Sequence, residues 1–571
     1  MTRTLPLKLL ACAAVLALAA PQHARAQAEN VVVTDPVYTF LKRMEVRGFI
    51  DRYHDAVLPL SRREVADFLQ ALDTRRGDLT QAERELLARY MDDFRFDITH
   101  STDGTNTIIG SGTPGMTTGF GAFFADRPKY LYAARDTNLT FFVNGLLSID
   151  ARGISGDALG SAHAEFVQGG GLIRGTIDNH IGYSLQATNA QFWGSRELLE
   201  RDPVIAQSEA IGATDIQNFD AAEAHVRYDG GIVSAEVGTE RVLWGNGYDQ
   251  KMIMSDNVRP FPFLRADAQY KAIRYTFIHA WLLGVPRPWT DFVSADSAAK
   301  MKGPSIADKY IAAHRLEFSF PRLFDIAFNE MVIYSNRAPD LAYLVPLNLL
   351  ESAQRNRGER DNGLWSFDIQ THFTPGLELT GTVLFDDLHL QDFFKNRFYN
   401  KNAYQLGFFL TDPIVLRNTS LMVEWTHVQP YVFSHDYSIE DTYTSYGAVL
   451  GPRIGPNSDS WFIRGDVFPN GRLTLSLRYF IGRHGDDVYD AGGALVKNVG
   501  GDIEQGHRPQ DPVSVTFLDG IVTKTQDVLV QATYEAVYQI WVDGWLDYQK
   551  ISSPSSAAAN TTIGIRVRSR F

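Results

Sequence analysis

The segment Thr561-Thr-Ile-Gly-Ile-Arg-Val-Arg-Ser-Arg-Phe571 alternates between apolar and polar side chains. One face carries Ile563, Ile565, Val567 and Phe571, and the other carries Gly564, Arg566, Arg568 and Arg570. Ser569 departs from the pattern, because it lies where an apolar residue is expected. A transmembrane β-barrel needs such strands, since one face meets lipid and the other meets the polar lumen. An amphipathic edge strand of a soluble protein is the alternative that this segment alone leaves open.

Residues 1–26 have the three parts of a secretory signal peptide. Arg3 and Lys8 give a basic start, Leu9 to Ala20 form a short apolar run, and Ala24-Arg-Ala26 matches a cleavage site. The run is too short to span a membrane, and no later segment has the ~20 apolar residues that a spanning helix requires. We therefore expect export into a Gram-negative envelope, cleavage after Ala26 and membrane insertion by strands.

The composition of the 571-residue chain excludes several classes of function. Its 67 acidic and 54 basic residues give a net charge of -13, which argues against a nucleic-acid partner. Cys12, the only cysteine, lies within the predicted signal peptide, so the mature chain would contain neither a disulfide nor a thiol nucleophile. The 14 histidines show no metal-ligand spacing, and the common hydrolase and phosphate-loop motifs are missing from the sequence. We expect no cofactor, no metal and no catalytic activity.

Residues 27–97 follow a helical period. Asp35-Pro36 is a helix start, and Gly48 marks the end of that helix. Ser61 to Glu64 and Thr80 to Glu83 each form a capping box ahead of an apolar helical face. Such short helices are unstable alone, so they must pack on each other or on the barrel. We predict a signal peptide at 1–26, a periplasmic helical bundle at 27–97 and an outer-membrane barrel at 98–571.

From about Thr105 onward, apolar and polar residues alternate in many segments. For example, Leu473, Leu475, Leu477 and Tyr479 oppose Thr474, Ser476 and Arg478. Between sixteen and twenty-two strands fit the region if each spans ~10 residues and the outer loops are long. The predicted fold class is mainly β, a large transmembrane antiparallel barrel with a small amino-terminal helical bundle.

The most distinctive local sequence is Gly238-Thr-Glu-Arg-Val-Leu-Trp-Gly-Asn-Gly247, followed by Met252-Ile-Met-Ser-Asp-Asn-Val-Arg-Pro-Phe-Pro262. It resembles the capsule assembly protein Wzi family, in which a strand end leads into a Trp-Gly turn and an Asn-x-x-Arg-Pro segment. Further matching stretches are His314 to Leu316, Asn329 to Arg337, Tyr343 to Pro346, Glu424-Trp425, Tyr431 to His435 and Leu450 to Asp459. The resemblance implies about 18 strands with a helical bundle on the periplasmic side. It also implies a non-enzymatic lectin that holds capsular polysaccharide on the cell surface.

Two stretches combine aromatic and cationic side chains in a way that suits a polysaccharide. Arg241 and Trp244 could offer a guanidinium and an indole platform, because sugars stack on aromatic faces and charged groups hold hydroxyls or carboxylates. A tryptophan at the lipid interface with a structural arginine is the alternative. Lys395, Arg397, Phe398 and Tyr399 lie in a predicted outer loop, where a membrane rim is the alternative. The family motifs add Arg259 and Arg337 to the predicted polysaccharide-binding residues.

Two charged positions test the predicted alternation. Arg315 and Glu317 share the polar face of their strand, and we expect them to form an ion pair in the lumen. Glu330 falls on the lipid-facing side with Phe328 and Val332, where a carboxylate near the membrane midplane is costly. Either a bulge resets the alternation there or Glu330 lies near a rim.

These observations favour an outer-membrane barrel that recognises an acidic or neutral surface polysaccharide through its rim and outer loops. Basic groups such as Lys395, Arg397 and Lys401 would have to outweigh the repulsion between an acidic protein and an acidic polymer. A porin-like channel for oligosaccharides or other solutes is the alternative, and conductance separates the two. A hydrolase is a third hypothesis, but the sequence shows no catalytic triad. We expect a monomer whose partners are outer-membrane lipid and surface polysaccharide.

Overall fold

The structure of the chain is a computed structural model. It describes residues 27–111, 117–157, 160–199, 217–291, 294, 301, 304–358, 360–387, 391, 395–413, 416–436 and 438–571. The predicted signal peptide at 1–26 and its cleavage site lie outside the described residues. Within those ranges, no helix is both long and apolar enough to cross a membrane.

Eighteen long antiparallel strands form a closed barrel. They are β1 Thr140–Gly156, β2 Gly160–Ile177, β3 Ile181–Gly194, β4 Gln217–Asp229, β5 Val233–Glu240, β6 Phe261–Tyr270, β7 Ile273–Leu283, β8 Asp308–Phe320, β9 Phe324–Ser335, β10 Asn362–Thr371, β11 Leu377–Asp387, β12 Lys401–Thr411, β13 Thr419–Val428, β14 Ser458–Asn470, β15 Leu473–Asp486, β16 Ile521–Val537, β17 Ile540–Ser552 and β18 Ala557–Arg570. Each strand pairs with its chain neighbours, and β18 pairs with β1 from Asn560↔Gly156 to Arg570↔Leu146. The count of eighteen confirms the fold that the resemblance implied.

Strand β18 has the two faces that its sequence predicts. Ile563, Ile565 and Val567 are 63%, 54% and 42% exposed on the outer surface of the barrel. On the lumen face, Arg566 Nη2 lies 2.9 Å from Asp150 Oδ2 of β1, and Arg568 Nε lies 2.8 Å from Asp543 Oδ2 of β17. The polar face of the strand therefore forms ion pairs in the wall of the lumen, and the apolar face belongs to the apolar belt of an outer-membrane barrel.

Short strands lie at the two ends of the barrel. At the end where β18 finishes, Lys129–Arg135 pairs with the first residues of β1, and Asn106–Ser111 and Thr117–Thr118 extend that edge. The remaining pairs are Val57–Leu58 with Leu243–Trp244, Thr444–Ser445 with Ala448–Val449, and Val488–Tyr489 with Leu495–Lys497. The first of these joins the amino-terminal region to the connection between β5 and β6.

Four helices form the amino-terminal bundle: α1 Val37–Val46, α2 Arg62–Asp73, α3 Gln81–Asp93 and α4 Arg95–Thr99. Both predicted capping boxes are present, with Ser61 and Glu64 starting α2 and Thr80 and Glu83 starting α3. Within the described parts of the barrel connections, three further short helices occur: α5 Arg196–Leu199, α6 Leu341–Leu344 and α7 Leu350–Asn356. The local capping signals thus predicted where the bundle helices begin.

The bundle fills the end of the lumen where the barrel has its short turns. Lys42 Nζ of α1 lies 2.8 Å from Glu378 Oε2 of β11, and Arg43 Nη1 donates to Ser420 Oγ of β13 at 3.0 Å. Glu64 Oε1 of α2 lies 3.2 Å from Arg274 Nη1 of β7. The turn after β14 touches the bundle directly, because Gly471 N donates to Glu85 Oε2 at 2.9 Å. Short turns face the periplasm in outer-membrane barrels, so the bundle lies at the periplasmic end.

The predicted lumen ion pair of Arg315 and Glu317 is confirmed. Arg315 Nε donates to Glu317 Oε2 at 2.8 Å, and both side chains are buried. Arg315 Nη1 also donates to Asp368 of β10, and His54 from the bundle region contacts Glu317. The pair therefore joins the wall to the bundle as part of a larger network.

Residues 336–358, which we call the strap, explain the position of Glu330. The strap leaves the outer end of β9 and folds back over the outside of the wall before β10 begins. Glu330 pairs in unbroken register with His314 of β8, so no bulge resets the alternation. It lies in the middle of β9, so the rim alternative is also wrong. Its carboxylate is covered by α7 and accepts hydrogen bonds from Leu350 N and Glu351 N at 3.0 and 2.8 Å.

Candidate functional site

A cavity of about 1270 Å³ lies in the outer half of the lumen, above the bundle. One wall is formed by lumen-facing residues of β15, β16 and β17. The opposite wall is formed by residues 445–456 and by Asn257 and Arg259, which belong to connections that fold into the barrel. The outer hairpin at Val488–Tyr489 and residues 501–503 complete the lining. Most of the lining thus comes from residues 445–551, and Asn257 and Arg259 are added from the connection between β5 and β6.

Arginine and aspartate side chains dominate the polar lining. Arg478 Nη2 lies 3.1 Å from Asp527 Oδ1, and Arg453 Nη2 lies 2.7 Å from Asp249 Oδ2. Arg483 lies on the opposite, outer face of β15, where Nε donates to Asp459 Oδ1 of β14 at 2.9 Å. Because the guanidinium groups of Arg478 and Arg453 have carboxylate partners, these two cations are held in place while their remaining N–H groups can serve a ligand.

Several polar atoms of this lining have no hydrogen-bond partner among the described residues. They are Arg478 Nε, His484 Nδ1, Asp487 Oδ2 and Asp547 Oδ1, two nitrogens and two carboxylate oxygens. Buried polar groups are normally hydrogen-bonded, so a cluster of unpaired ones beside a cavity marks a place where a polar ligand or water completes the bonding.

Aromatic rings lie next to these charged groups. The guanidinium carbon of Arg259 lies 4.3 Å from the ring centroid of Tyr446, and that of Arg453 lies 5.4 Å from the ring of Phe480. In the outer hairpin, Tyr489 donates to Asp502 Oδ2 at 3.2 Å. Burial and the charges of Asp502 and Asp487 raise the pKa of Tyr489 to about 12. The cavity therefore offers rings, cations and carboxylates together.

Of the predicted binding residues, Arg259 lines this cavity. Trp244 does not, and both roles considered for it need correction. The indole is fully buried in the lumen core, where Nε1 donates to Asn329 Oδ1 of β9 at 2.9 Å. It can act neither as a sugar platform nor as a lipid-interface tryptophan in this position. Arg241 Nη1 lies 3.9 Å from Glu223 Oε1 of β4 and is outside the cavity lining.

The predicted outer-loop residues lie in a separate loop cluster. Arg397 Nη1 donates to Ser514 Oγ at 2.7 Å, and the ring of Phe398 stacks on His507 at 3.5 Å between centroids. Tyr399 meets Phe398 edge-on at 5.3 Å, and Lys395 O accepts from Arg397 N at 2.8 Å. These contacts join the loop after β11 to the loop after β15. One face of Phe398 is consequently occupied by the chain itself.

Two further predicted cations are held by acids. Arg337 forms a two-pronged pair with Asp361, at 2.8 and 2.6 Å, and lies at the start of the strap outside the wall. Lys401 is buried, with Nζ 2.9 Å from Asp387 Oδ2 and donating to Ser434 O at 3.1 Å. Lys401 is therefore a structural cation rather than part of an exposed basic patch.

Sequence reasoning missed Tyr446, Arg453 and Tyr489. No local motif connects them, because Tyr446 and Arg453 lie in the connection between β13 and β14, whereas Tyr489 lies in the connection between β15 and β16. Strand alternation already places Arg478 on the polar face of its strand, opposite Leu477 and Tyr479. The partner segments across the cavity could not be inferred from one strand at a time.

Two groups of histidine and acidic side chains come close together in the described part of the chain, and neither lines the cavity. His225, Glu236 and Glu240 surround Asn30, which donates from Nδ2 to both glutamates at 2.8 and 2.7 Å and from its backbone N–H to His225 Nε2 at 3.0 Å. This group anchors the amino-terminal segment to β4 and β5. Glu45, Asp325 and His372 form the second group, at the periplasmic end.

The model of the family "Capsule assembly protein Wzi" matches residues 154–560, well over half of the chain. The solved structure of Wzi from Escherichia coli, an outer-membrane protein involved in group 1 capsule assembly and a carbohydrate-binding β-barrel, is similar over 94% of this chain and 99% of its own. The identity is 13% and the TM-score is 0.52. Pseudomonas aeruginosa OccK5 and OprD are each similar over 75% of this chain, and over 98% and 94% of their own, with identities of 11% and 10% and TM-scores of 0.40 and 0.39. A search of curated protein sequences gives no significant match. The chain therefore belongs to the capsule assembly protein Wzi family.

Proposed function

We propose that this outer-membrane barrel is a non-enzymatic, lectin-like protein that binds capsular or other surface polysaccharide and helps to assemble or anchor it on the cell surface. The observation that carries the proposal is the outer-lumen cavity, which combines aromatic rings, arginines and carboxylates above the helical bundle. Family membership supports it, as does the carbohydrate binding of Wzi from Escherichia coli.

The chemistry of the lining suits a sugar. The C–H faces of sugar rings pack against aromatic side chains such as Tyr446, and hydroxyls exchange hydrogen bonds with guanidinium and carboxylate groups. The unpaired atoms of Arg478, His484, Asp487 and Asp547 supply such positions. At about 1270 Å³, the cavity exceeds the roughly 300–1,000 Å³ of typical small-molecule pockets, so it has room for a short stretch of polymer.

The charge of the lining favours a hydroxyl-rich polymer with few anionic groups. Arg478 and Arg453 are paired with aspartates, and Asp486, Asp487, Asp502 and Asp547 also line the cavity, so it lacks a large excess of positive charge. The net charge of -13 on the whole chain also repels a densely anionic polymer at long range. We therefore expect a neutral or sparsely charged polysaccharide to bind more tightly than a densely charged one.

Binding of the detergent-solubilised protein to the surface polysaccharide of its host tests the proposal. We expect saturable binding that weakens roughly tenfold in the double variant Arg259→Ala/Tyr446→Ala, since a lost ring contact and a lost cation contact each cost about 0.5–2 kcal/mol. The matched control is Arg472→Ala/Tyr270→Ala, whose residues lie at periplasmic turns. Equal binding by both double variants would move the site elsewhere, and no binding by the unmodified protein would reject the lectin function.

A porin-like channel is the alternative function. The same protein sample in a planar bilayer separates the two, because a lumen closed by the bundle should conduct little and a porin should conduct steadily. Steady conductance without polysaccharide binding would favour the channel.

A further inference from the structure

The strap covers polar side chains that the outer face of the wall presents. Glu330 of β9 accepts from two backbone N–H groups of α7, and His314 Nε2 of β8 lies 2.8 Å from its Oε2. Tyr275 of β7 donates to Pro346 O of the strap and lies 3.2 Å from His314 Nδ1. These groups would be costly if they faced hydrocarbon, and the strap supplies their partners.

The strap reaches deep into the membrane-facing belt. β9 has 12 residues, which at the usual tilt span roughly 30 Å along the barrel axis, and Glu330 lies near the middle of the strand. Tyr275, which contacts Pro346, lies only three residues into β7 from its periplasmic turn. Because the apolar band of such barrels is about 25 Å tall, this part of the strap lies within it.

The two sides of the strap differ sharply. Tyr343 and Leu350 are buried against Tyr310, Val332 and Tyr334 of the wall. Four apolar residues point away from the wall: Leu341, Val345, Leu347 and Leu349 are 77%, 52%, 85% and 61% exposed. Exposed apolar residues of neighbouring strands, including Phe367 and Ile326, continue this surface around the barrel. The strap therefore extends the apolar belt instead of interrupting it.

The backbone of the strap finds partners within the protein at several points. Asp340 N donates to Tyr334 Oη at 3.0 Å, and Asn348 Nδ2 donates to Ala342 O at 2.8 Å. Glu330 and Tyr275 satisfy further groups, as described above. Irregular backbone at membrane depth requires such internal partners, since hydrocarbon provides none.

Charged groups are confined to the ends of the strap and to α7. Arg337 at the beginning pairs with Asp361, and Arg357 near the end donates from Nε to Asp340 Oδ2 at 2.7 Å. These pairs lie beside the outer ends of β9 and β10. The apolar stretch between them contains no charged residue from Leu341 to Leu350.

We propose that the strap is a membrane-embedded element that docks in the hydrocarbon layer of the outer membrane. Leu341, Val345, Leu347 and Leu349 contact lipid acyl chains, and the paired arginines lie at the level of the head groups. Over β7 to β9, the strap contacts lipid in place of the strands themselves. The outer face of these strands can therefore contain the polar side chains of Glu330 and His314.

Spin labelling tests this placement in the full chain reconstituted into phospholipid vesicles. In a Cys12→Ser background, a nitroxide is attached to Leu347→Cys, to Ile563→Cys on the apolar face of β18, or to Val496→Cys in the outer hairpin. Power saturation with oxygen, which partitions into hydrocarbon, and with a water-soluble nickel chelate gives the accessibility of each label. We expect the oxygen-to-nickel ratio at position 347 to match that at 563 and to exceed that at 496 several-fold.

A ratio at position 347 equal to that at 496 would place the strap in water and overturn the proposal. Low accessibility to both reagents would also overturn it, because protein, such as a second copy of the chain, would then cover the strap. If Leu347→Cys fails to form a heat-resistant barrel, Leu341→Cys provides the same comparison, since that side chain is 77% exposed.

Discussion

Glu330 shows how far alternation along a strand can be trusted. The alternation of side chains correctly placed Glu330 on the outer face, and the unbroken register with His314 supports this placement. Alternation could not reveal what covers the carboxylate, because the covering residues begin after β9 has ended and fold back over it. The carboxylate on the lipid-facing side of β9 is therefore explained by its contact with the strap.

Removal of the Glu330 carboxylate should destabilise the protein strongly. Glu330→Ala leaves His314 and two backbone N–H groups without their acceptor in an apolar setting, which costs about 3 kcal/mol or more. Glu330→Gln keeps an acceptor and should cost clearly less. The temperature at which the folded form is lost, read from its shift in gel mobility, measures both. Equal midpoints for the two variants would show that the carboxylate contributes little.

Trp244 marks the opposite limit. The Trp-Gly turn made it the most conspicuous side chain of its segment, yet its hydrogen-bond partner, Asn329, lies 85 positions away in the chain. Whether an indole at a strand end faces ligand, lipid or core depends on such distant neighbours. The sequence therefore identified Trp244 as a candidate binding residue but could not establish its role.

Among the elements, the bundle helices were the most predictable. The starts of α2 and α3 are specified within four residues by the capping boxes at Ser61 and Thr80, and both boxes are present. The side on which the helices pack was not predictable, because it depends on lumen residues such as Glu378 and Arg274 that lie hundreds of positions later. The local sequence therefore predicts where these helices begin, whereas the lumen residues that they contact depend on how the strands form the barrel.

Glu64 makes the attachment of α2 sensitive to acid. Burial opposes its ionisation, but Arg274, Arg227 and the hydrogen bonds from Ser61 outweigh burial and lower the pKa of Glu64 to about 2 from an ordinary value of 4.5. A lowered carboxyl pKa contributes stability above pH 4.5, at most about 3 kcal/mol, and that contribution is lost as the pH falls towards 2. We expect Glu64→Gln to lower the thermal midpoint at pH 7 and to match the unmodified protein near pH 2.

The control for this experiment is Asp73→Asn, at the end of the same helix, where the side chain is 41% exposed. It should follow the unmodified protein across the whole pH range. A Glu64→Gln difference that persists unchanged at pH 2 would contradict the assignment of the effect to this carboxyl group.

For the whole molecule, composition and alternation predicted a large barrel but only a range of strand numbers. The closed ring of eighteen strands lies inside that range and matches the count implied by the family resemblance. A sharper count was not possible from alternation alone, because short strands such as Lys129–Arg135 and Val488–Tyr489 also occur beside the eighteen long ones.

The bundle should make the unmodified protein nearly silent in a planar bilayer. Lys42 and Arg43 hold α1 to β11 and β13, so Lys42→Ala/Arg43→Ala should loosen it and produce stepwise current. Arg75→Ala/Arg76→Ala, at partly exposed positions of the bundle, is the matched control and should stay silent. Large steady currents from the unmodified protein would show that the bundle does not close the lumen.

The pairing of β18 with β1 also has a kinetic consequence. In a ring without edges, no strand can leave until hydrogen bonds on both of its sides have broken together, so unfolding must pass a high barrier. The lifetime of the folded barrel is then set by the rate of unfolding rather than by the fraction of unfolded molecules at equilibrium. A polymer held inside such a ring would remain attached to an anchor that outlasts many cycles of binding and release.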